Sequence, residues 1–246
     1  MYDLTHTRAR TLLESVTYPW EALDGIGEAI MQLGPTLDPE AYDHPQENVW
    51  IAKSATVAPT ASITGPCIIG EKTEVRQCAF IRGNVLVGDG AVVGNSCELK
   101  NCILFDEVQT PHYNYVGDSV LGYKAHMGAG AVTSNVKGDK KNVVVHGERD
   151  YETGRKKFGA MLGDFAEIGC NSVLNPGTGF TGLSAFQRAR RGQGAAHCQG
   201  RARRVRQGLN EKTGCIEQSV FLYGGLERRA AQAAWFALYS SSAVAS

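Results

Sequence analysis

The sequence predicts an all-β fold, a parallel β-helix built from six-residue repeats, and three observations support this prediction. Large apolar residues recur at every sixth position from Ile51 to Phe105. Smaller side chains fill a second column four positions later, and glycine often follows the large residue, as in Val93-Gly94. An antiparallel sandwich would instead alternate with period two and turn every 8 to 12 residues. Three hexapeptides would close one triangular coil of about 18 residues.

Composition limits the classes of protein to consider. The 246 residues suffice for one large domain or two smaller ones. With 25 basic and 25 acidic side chains there is no net charge to attract nucleic acid or an anionic membrane, so neither is expected as a partner. No apolar stretch is long enough to span a membrane and the first residues do not resemble a signal peptide, which predicts a cytoplasmic protein. The seven cysteines are scattered without a Cys-x-x-Cys pair, so we expect reduced thiols and no metal.

Three segments are expected along the chain. Residues 1–46 carry apolar residues at helical spacing, interrupted at Pro19, and are predicted to form a helical cap that closes one end of the solenoid. Residues 47–178 form the hexapeptide-repeat β-helix. Residues 179–246 form a divergent, irregular basic tail, because the repeat fades after Asn175-Pro176-Gly177-Thr178.

Two interruptions of the repeat are predicted to be loops, where solenoids often carry function. The first is residues 106–111, after which the period resumes at Val116. The second is a basic excursion from Val136 to Gly159, after which Leu162 restores the spacing.

The tail has two interpretations. Residues 187–208 contain seven arginines and no acidic residue, a pattern that a nucleic-acid-binding arm would show. The abrupt change of composition favours the alternative that the reading frame is shifted in the gene or its assembly.

Reactive side chains concentrate around the two interruptions, and here the chain resembles a known family. From about Ile81 to Thr178 it is similar to the hexapeptide-repeat acyltransferases, and within them to the acetyltransferase half of the bifunctional N-acetylglucosamine-1-phosphate uridylyltransferase and glucosamine-1-phosphate acetyltransferase. The resemblance implies a left-handed β-helix, acetyl-CoA as co-substrate and a homotrimer. These elements carry it: Ile81-Arg82-Gly83, Val93-Gly94-Asn95, Glu98-Leu99-Lys100, His112-x-x-Tyr115-Val116-Gly117-Asp118, Gly128-Ala129-Gly130, Thr133-Ser134-Asn135 and Lys141.

The resemblance also implies a role for each matching residue. His112 would be the general base, which suits an imidazole that titrates near pH 6.5 and an amino sugar that must lose a proton. Asn135 would lie near the amine, and Ala129 would contact acetyl-CoA, its segment supplying a backbone N–H to the oxyanion. Four matching residues would bind the sugar phosphate, three of them as cations: Arg82, Lys100, Tyr115 and Lys141. His126, which stands beside the Gly128-Ala129-Gly130 segment, is also predicted to bind substrate.

Departures from the family pattern leave the acceptor open. His126 replaces an Asn, and Val136-Lys137 replace a Tyr-Asp pair. The family's acetyl-CoA groove is built largely by coils beyond Asn175, where this repeat ends. The nucleotidyltransferase half of the bifunctional family has no counterpart here, so no such activity is expected.

Three functions follow. The first is an N-acetyltransferase that moves an acetyl group from acetyl-CoA to the amine of a sugar phosphate or nucleotide sugar. The second is a non-catalytic β-helix, related to sugar-1-phosphate nucleotidyltransferases of the UDP-N-acetylglucosamine pyrophosphorylase kind, that binds a sugar phosphate or serves in assembly. The third is a zinc hydratase of the γ-carbonic-anhydrase type, for which only His112 and His126 are available as histidine ligands.

Overall fold

The computed structural model describes residues 1–146 and 150–180, together with the backbone of two strands, Ser184–Gln187 and Arg201–Arg204. Its centre is a left-handed parallel β-helix of about seven turns, which confirms the predicted fold class. The basic tail is predicted for residues 179–246, and beyond Phe180 it lies outside the described residues apart from these two strands. Both interpretations of the tail, the nucleic-acid-binding arm and the shifted reading frame, therefore stay predictions.

Short strands make up most of the described chain. The helices are α1 (Arg10–Glu14) and α2 (Ile26–Leu33), and the 3-10 helices are Leu4–His6, Pro19–Asp24 and Gly34–Thr36. The strands are β1 (Tyr42–Gln46), β2 (Val49–Ala52), β3 (Thr56–Val57), β4 (Ser62–Ile63), β5 (Cys67–Ile69), β6 (Glu74–Val75), β7 (Phe80–Ile81), β8 (Val85–Val87), β9 (Val92–Asn95), β10 (Glu98–Leu104), β11 (Gln109–His112), β12 (Tyr115–Leu121), β13 (His126–Met127), β14 (Val132–Thr133), β15 (Val144–His146), β16 (Asp150–Glu152), β17 (Ala160–Leu162), β18 (Glu167–Ile168), β19 (Val173–Leu174), β20 (Thr178–Phe180), β21 (Ser184–Gln187) and β22 (Arg201–Arg204).

Parallel pairing between successive coils forms three flat faces. Face 1 contains β2, β5, β8, the second half of β10, the second half of β12, β17 and β20. Face 2 contains β3, β6, β9, β11, β13, β18 and β21. Face 3 contains β4, β7, the first half of β10, the first half of β12, β14 and β19. Strands β10 and β12 therefore continue from face 3 around a corner onto face 1.

The predicted apolar columns line the inside of the solenoid. Val75, Ile81, Val87 and Val93 are at most 1% exposed, and the small residues of the second column pack beside them. The period then slips by one residue, because Phe80 pairs with Glu98 eighteen residues on whereas Val85 pairs with Cys102 seventeen residues on.

This slip makes the predicted loop at residues 106–111 wrong. Leu104, not Phe105, is the partner of Val87 in the inner column, and the next inner residue is therefore Thr110, which is fully buried. Residues 109–112 form strand β11 in face 2 and do not leave the coil. Asn101 turns the shortened corner with φ 49°, in the left-handed region that asparagine and aspartate tolerate.

The N-terminal segment lies along face 1, whereas the sequence placed it over the open end. Helix α2 packs on β5, β8 and β10, and the Pro19–Asp24 helix packs on β12. Beneath them the outward-facing side chains of face 1 are buried as completely as the inner ones, Ile68, Leu86 and Ile103 being at most 1% exposed. Burying one such side chain stabilises the fold by about 1.5–3 kcal/mol, which explains why face 1 is covered. Among the described residues, face 3 has no such row of buried outward side chains and is open.

The predicted basic excursion between β14 and β17 is present. It contains an antiparallel hairpin of β15 and β16. Tyr151 of the hairpin packs edge-on against Tyr18, and Phe158 contacts Trp20 of the N-terminal segment with ring centroids 5.8 Å apart. The excursion is thus held against the N-terminal segment that covers face 1.

Candidate functional site

Two cations lie next to each other on the open face 3. The register that pairs Phe80 with Glu98 and Leu99 with Ile81 places Arg82 beside Lys100 in the next coil. Neighbouring strands are separated by about 4.8 Å. Arg82 and Lys100 are one coil apart in the sequence and are therefore direct neighbours on the face. The Arg82 Nη1 donates to Glu98 Oε1 at 2.6 Å, and its guanidinium carbon lies 5.8 Å from the centre of the exposed Phe80 ring. Arg82 is therefore accessible but already paired.

The Asp118 carboxylate is the centre of the site. Its side chain is 4% exposed, at the corner between faces 3 and 1, where its φ is 49°. The Lys100 Nζ lies 3.3 and 3.4 Å from its two oxygens, and Asn101 Nδ2 donates to Oδ1 at 2.9 Å. Asn135 Nδ2 donates to Oδ2 at 2.5 Å. A buried carboxylate needs such partners, and three side chains from the two neighbouring coils supply them.

Tyr115 lies across this cluster because the residue two positions later, Gly117, is a glycine. A Cβ at Gly117 would fall 2.4 Å from the Tyr115 hydroxyl, so only glycine leaves room for the ring. The hydroxyl accepts a hydrogen bond from Asn135 Nδ2 at 3.1 Å. Burial, with the nearby Asp118 and Glu98 carboxylates, raises the pKa of Tyr115 above its usual value. The phenol thus remains protonated at neutral pH and can donate to a ligand.

His112 lies at the opposite corner of face 3, at the end of β11. Buried Asn114 fixes the turn, accepting from the His112 N–H at 3.1 Å and donating to the carbonyls of Gly128 and Ala131. The side chain of His112 is exposed, and among the described residues its imidazole makes no hydrogen bond or ion pair. His112 and Tyr115 are three residues apart, so their Cα atoms are at most about 11 Å apart.

Ala129 occupies the position next to His112 in the following coil. The Gly130 N–H donates to the His112 carbonyl at 3.0 Å, and the Gly128 N–H donates to Ile168 at 2.7 Å. Within residues 1–146 and 150–180, the Ala129 N–H is the only amide of the three without a hydrogen-bond partner. It is therefore the amide of this segment that is free to donate to an oxyanion.

Two predicted residues lie away from the cluster. His126 is on face 2, where its Nδ1 lies 2.8 Å from Glu167 Oε2. Lys141 is in the excursion, where its backbone N–H donates to Asp139 at 3.1 Å, and its side chain makes no ion pair among the described residues. The structure thus brings Arg82, Lys100, Tyr115 and Asn135 together, and places His112 with Ala129 across the face from them.

Sequence reasoning assigned no role to three residues of the site, Glu98, Asn114 and Asp118. Glu98 and Asp118 lie within the motifs on which the family resemblance rests, and that position could have indicated a role for them. Asn114 gave none, since a buried asparagine that satisfies a turn cannot be recognised from its type alone.

Two general searches of the described residues complete the description. No three His, Cys, Asp or Glu side chains there are grouped as metal ligands. The described helices are all too short or too polar to cross a membrane.

Comparisons with known proteins give matches over the repeat. The family model described as "GMPPB C-terminal domain" matches residues 63–153, less than half of the chain. The bifunctional protein GlmU of Methanococcus aeolicus is 29% identical over 177 residues, covering 65% of this chain and 39% of that protein. GlmU of Methanococcus maripaludis strain C5 is 35% identical over 99 residues, covering 40% and 24%.

Among solved structures, a hexapeptide transferase family protein from Anaplasma phagocytophilum superposes with a TM-score of 0.44 at 16% identity, covering 56% of this chain and 74% of that one. The chain spans less than half the length of the GlmU proteins that it matches. Sequence similarity over the repeat and the three-sided solenoid agree with the resemblance inferred from the motifs. The chain is thus a β-helix of hexapeptide repeats that, over those repeats, is similar in sequence to the bifunctional GlmU proteins.

Proposed function

We propose that the chain is an acyltransferase that moves an acetyl group from acetyl-CoA to the amine of a sugar phosphate or nucleotide sugar, with a glucosamine 1-phosphate-like acceptor. The observation that carries the proposal is the arrangement on face 3. Cations and hydrogen-bond donors lie at one corner, and at the other lies an exposed imidazole beside an amide that has no partner among the described residues.

The acceptor would lie across face 3. Its phosphate would bind Arg82, Lys100 and the Tyr115 hydroxyl, and the half-buried Glu98 would release Arg82 to the anion. Lys141 would close over it from the excursion. His126, on face 2, would contribute through a neighbouring copy in the homotrimer that the resemblance implies.

The amine would then face His112. Its nitrogen would attack the thioester carbonyl while the imidazole accepts the amine proton. The carbonyl oxygen would become an oxyanion facing the Ala129 N–H. Collapse would break the carbon–sulfur bond, and the proton held by His112 would pass to the leaving thiolate of coenzyme A. The products are the N-acetylated sugar and free coenzyme A, which balances atoms and charge.

The test is thiol release from acetyl-CoA in the presence of glucosamine 1-phosphate. His112→Ala should lower kcat by about 100-fold or more, as expected for loss of a general base. His44→Ala is the matched control, because that histidine stacks on Trp50 at a ring distance of 5.0 Å, outside the site. Wild-type turnover that His112→Ala leaves unchanged would remove His112 from the mechanism.

A non-catalytic sugar-phosphate-binding or assembly module is the second candidate. The observation that favours it is that the His112 imidazole makes no contact with the cation cluster in the described residues, and both cations are already paired. Calorimetric binding of glucosamine 1-phosphate, with no thiol released under the same conditions, would support this alternative. Stoichiometric bound zinc would instead favour a hydratase.

A further inference from the structure

We infer that Asp118 is a positioning residue, which fixes the Lys100 ammonium and the Asn135 amide for the acceptor without touching it. The inference rests on the proposed function, since it assigns a task within the same site. It concerns a residue to which the motif analysis gave no role.

Burial and geometry separate Asp118 from the surface. Its side chain is 4% exposed, whereas that of Lys100 is 27% exposed, so Lys100 can be reached from solvent and Asp118 cannot. The main chain around Asp118 is fixed as well, because its carbonyl accepts the Gly159 N–H at 2.8 Å where the excursion rejoins the coil. The Asp118 carboxylate is thus fixed in place, and the Lys100 ammonium is the group that a ligand can reach.

The contacts of Asp118 also decide which end of Asn135 is presented. An ionised carboxylate only accepts hydrogen bonds, so the Asn135 atom 2.5 Å from Asp118 is the amide nitrogen. The same nitrogen donates to the Tyr115 hydroxyl at 3.1 Å. The Asn135 Oδ1 therefore points away from Asp118, and it accepts no hydrogen bond from any described residue. An outward carbonyl suits a donor on the ligand, such as the amine or a hydroxyl of an amino sugar.

Stability alone does not account for this arrangement. A buried ion pair is often no more stable than a packed apolar pair of the same volume. Here the carboxylate gathers three donors, from Lys100, Asn101 and Asn135, two of which belong to the proposed acceptor site. Catalysis depends on such preorganisation, because displaced groups lose most of their effect.

The experiment compares Asp118→Asn with Asp106→Asn, in the full chain. The control removes the partly buried carboxylate of Asp106, which lies outside the site and accepts the Asp89 N–H at 2.8 Å between faces 1 and 2. We expect Asp118→Asn to raise KM for glucosamine 1-phosphate about 30-fold, the scale expected for loss of charge-assisted contacts that order the site. KM for acetyl-CoA should stay within about twofold, a split that general unfolding would not produce.

A double-mutant cycle with Lys100→Met tests whether Asp118 acts through Lys100. If it does, KM for glucosamine 1-phosphate in the double variant should rise by less than the product of the increases in the two single variants. Asp118→Glu, which keeps the charge but displaces it, should also raise KM for the sugar phosphate while the fold, followed by circular dichroism, is retained.

The possible outcomes are distinct. A wild-type chain that neither turns over nor binds glucosamine 1-phosphate removes the proposed function and this role with it. Active wild type with unchanged KM in both Asp118 variants overturns the role of Asp118 alone. Full additivity in the cycle, or failure of both Asp118 variants to fold, also overturns it, because Asp118 would then be structural.

Discussion

Replacing Gly117 with alanine should damage the site while leaving the solenoid intact. The new Cβ would lie 2.4 Å from the Tyr115 hydroxyl and 2.7 Å from Cζ, so the ring must move outward. Tyr115 is only partly buried and its ring is the far end of a side chain, so this movement is cheap. Gly117 itself does not have positive φ, and alanine suits its backbone. We therefore expect the free energy of unfolding to change by less than about 1 kcal/mol.

The loss of function can be worked out from the contacts. Moving the ring breaks the Tyr115 bond to Asn135, worth about 1 kcal/mol, and removes a donor to a charged substrate group, worth about 1.5 kcal/mol. Since about 1.4 kcal/mol corresponds to tenfold, kcat/KM for glucosamine 1-phosphate should fall between about 10- and 100-fold.

The assay is thiol release from acetyl-CoA, with urea unfolding of the same preparations. Tyr115→Phe should reproduce the loss, and the double variant should be little worse than either single one, because both remove the same hydroxyl. Gly138→Ala is the control, since a Cβ there meets nothing within 4 Å. A Gly117→Ala chain with kcat/KM within twofold of wild type would refute the reasoning, as would a loss of stability typical of a core substitution.

Two further predictions concern the scaffold. Leu86→Ala, beneath the N-terminal segment, should lower the free energy of unfolding by about 2–4 kcal/mol, as a buried leucine does; urea denaturation checks it, and a loss below about 1 kcal/mol would mean that face 1 is not covered in solution. Iodoacetamide at pH 8 should label the exposed Cys78 and Cys170 in the native chain but not Cys67, because burial raises the pKa of the Cys67 thiol and shields it. Peptide mass spectrometry before and after denaturation reads this out, and native labelling of Cys67 would contradict the packing.

The sequence sufficed for the solenoid because one physical rule repeats at every coil. Residues such as Ile81, Val87 and Val93 must point inward, and a period of six puts one of them on each face. The slip at Asn101 escaped prediction because Leu104 and Phe105 are both large and apolar. Only the pairing of Val87 with Leu104 identifies which of them faces inward.

The position of the N-terminal segment did have a signal in the sequence. Face 1 strands are apolar at three successive positions, as in Cys67-Ile68-Ile69, whereas an exposed strand would alternate. A buried outer row requires a cover, and residues 1–46 were the available apolar segment.

The site was predicted in part for a similar reason. The spacing from Arg82 to Lys100 is one coil, so their adjacency follows from the repeat alone. The arrangement of His112 across the face from the cations, and that of His126 on face 2, depend on which corner each residue reaches. Those corners are determined by the slip at Asn101 and by a second slip between Tyr115 and Ser119, since Cys102 pairs with Ser119 only seventeen residues on.

The two ends of the basic excursion are joined by a hydrogen bond from the Phe158 N–H to the Asn135 carbonyl at 2.9 Å. The insertion therefore leaves the solenoid and returns to it at neighbouring points. Its hairpin also packs on the N-terminal segment, through Tyr151 against Tyr18, so a replacement hairpin must keep that contact. Change in substrate preference can then proceed by exchanging this appendage, with the rest of the architecture inherited unchanged.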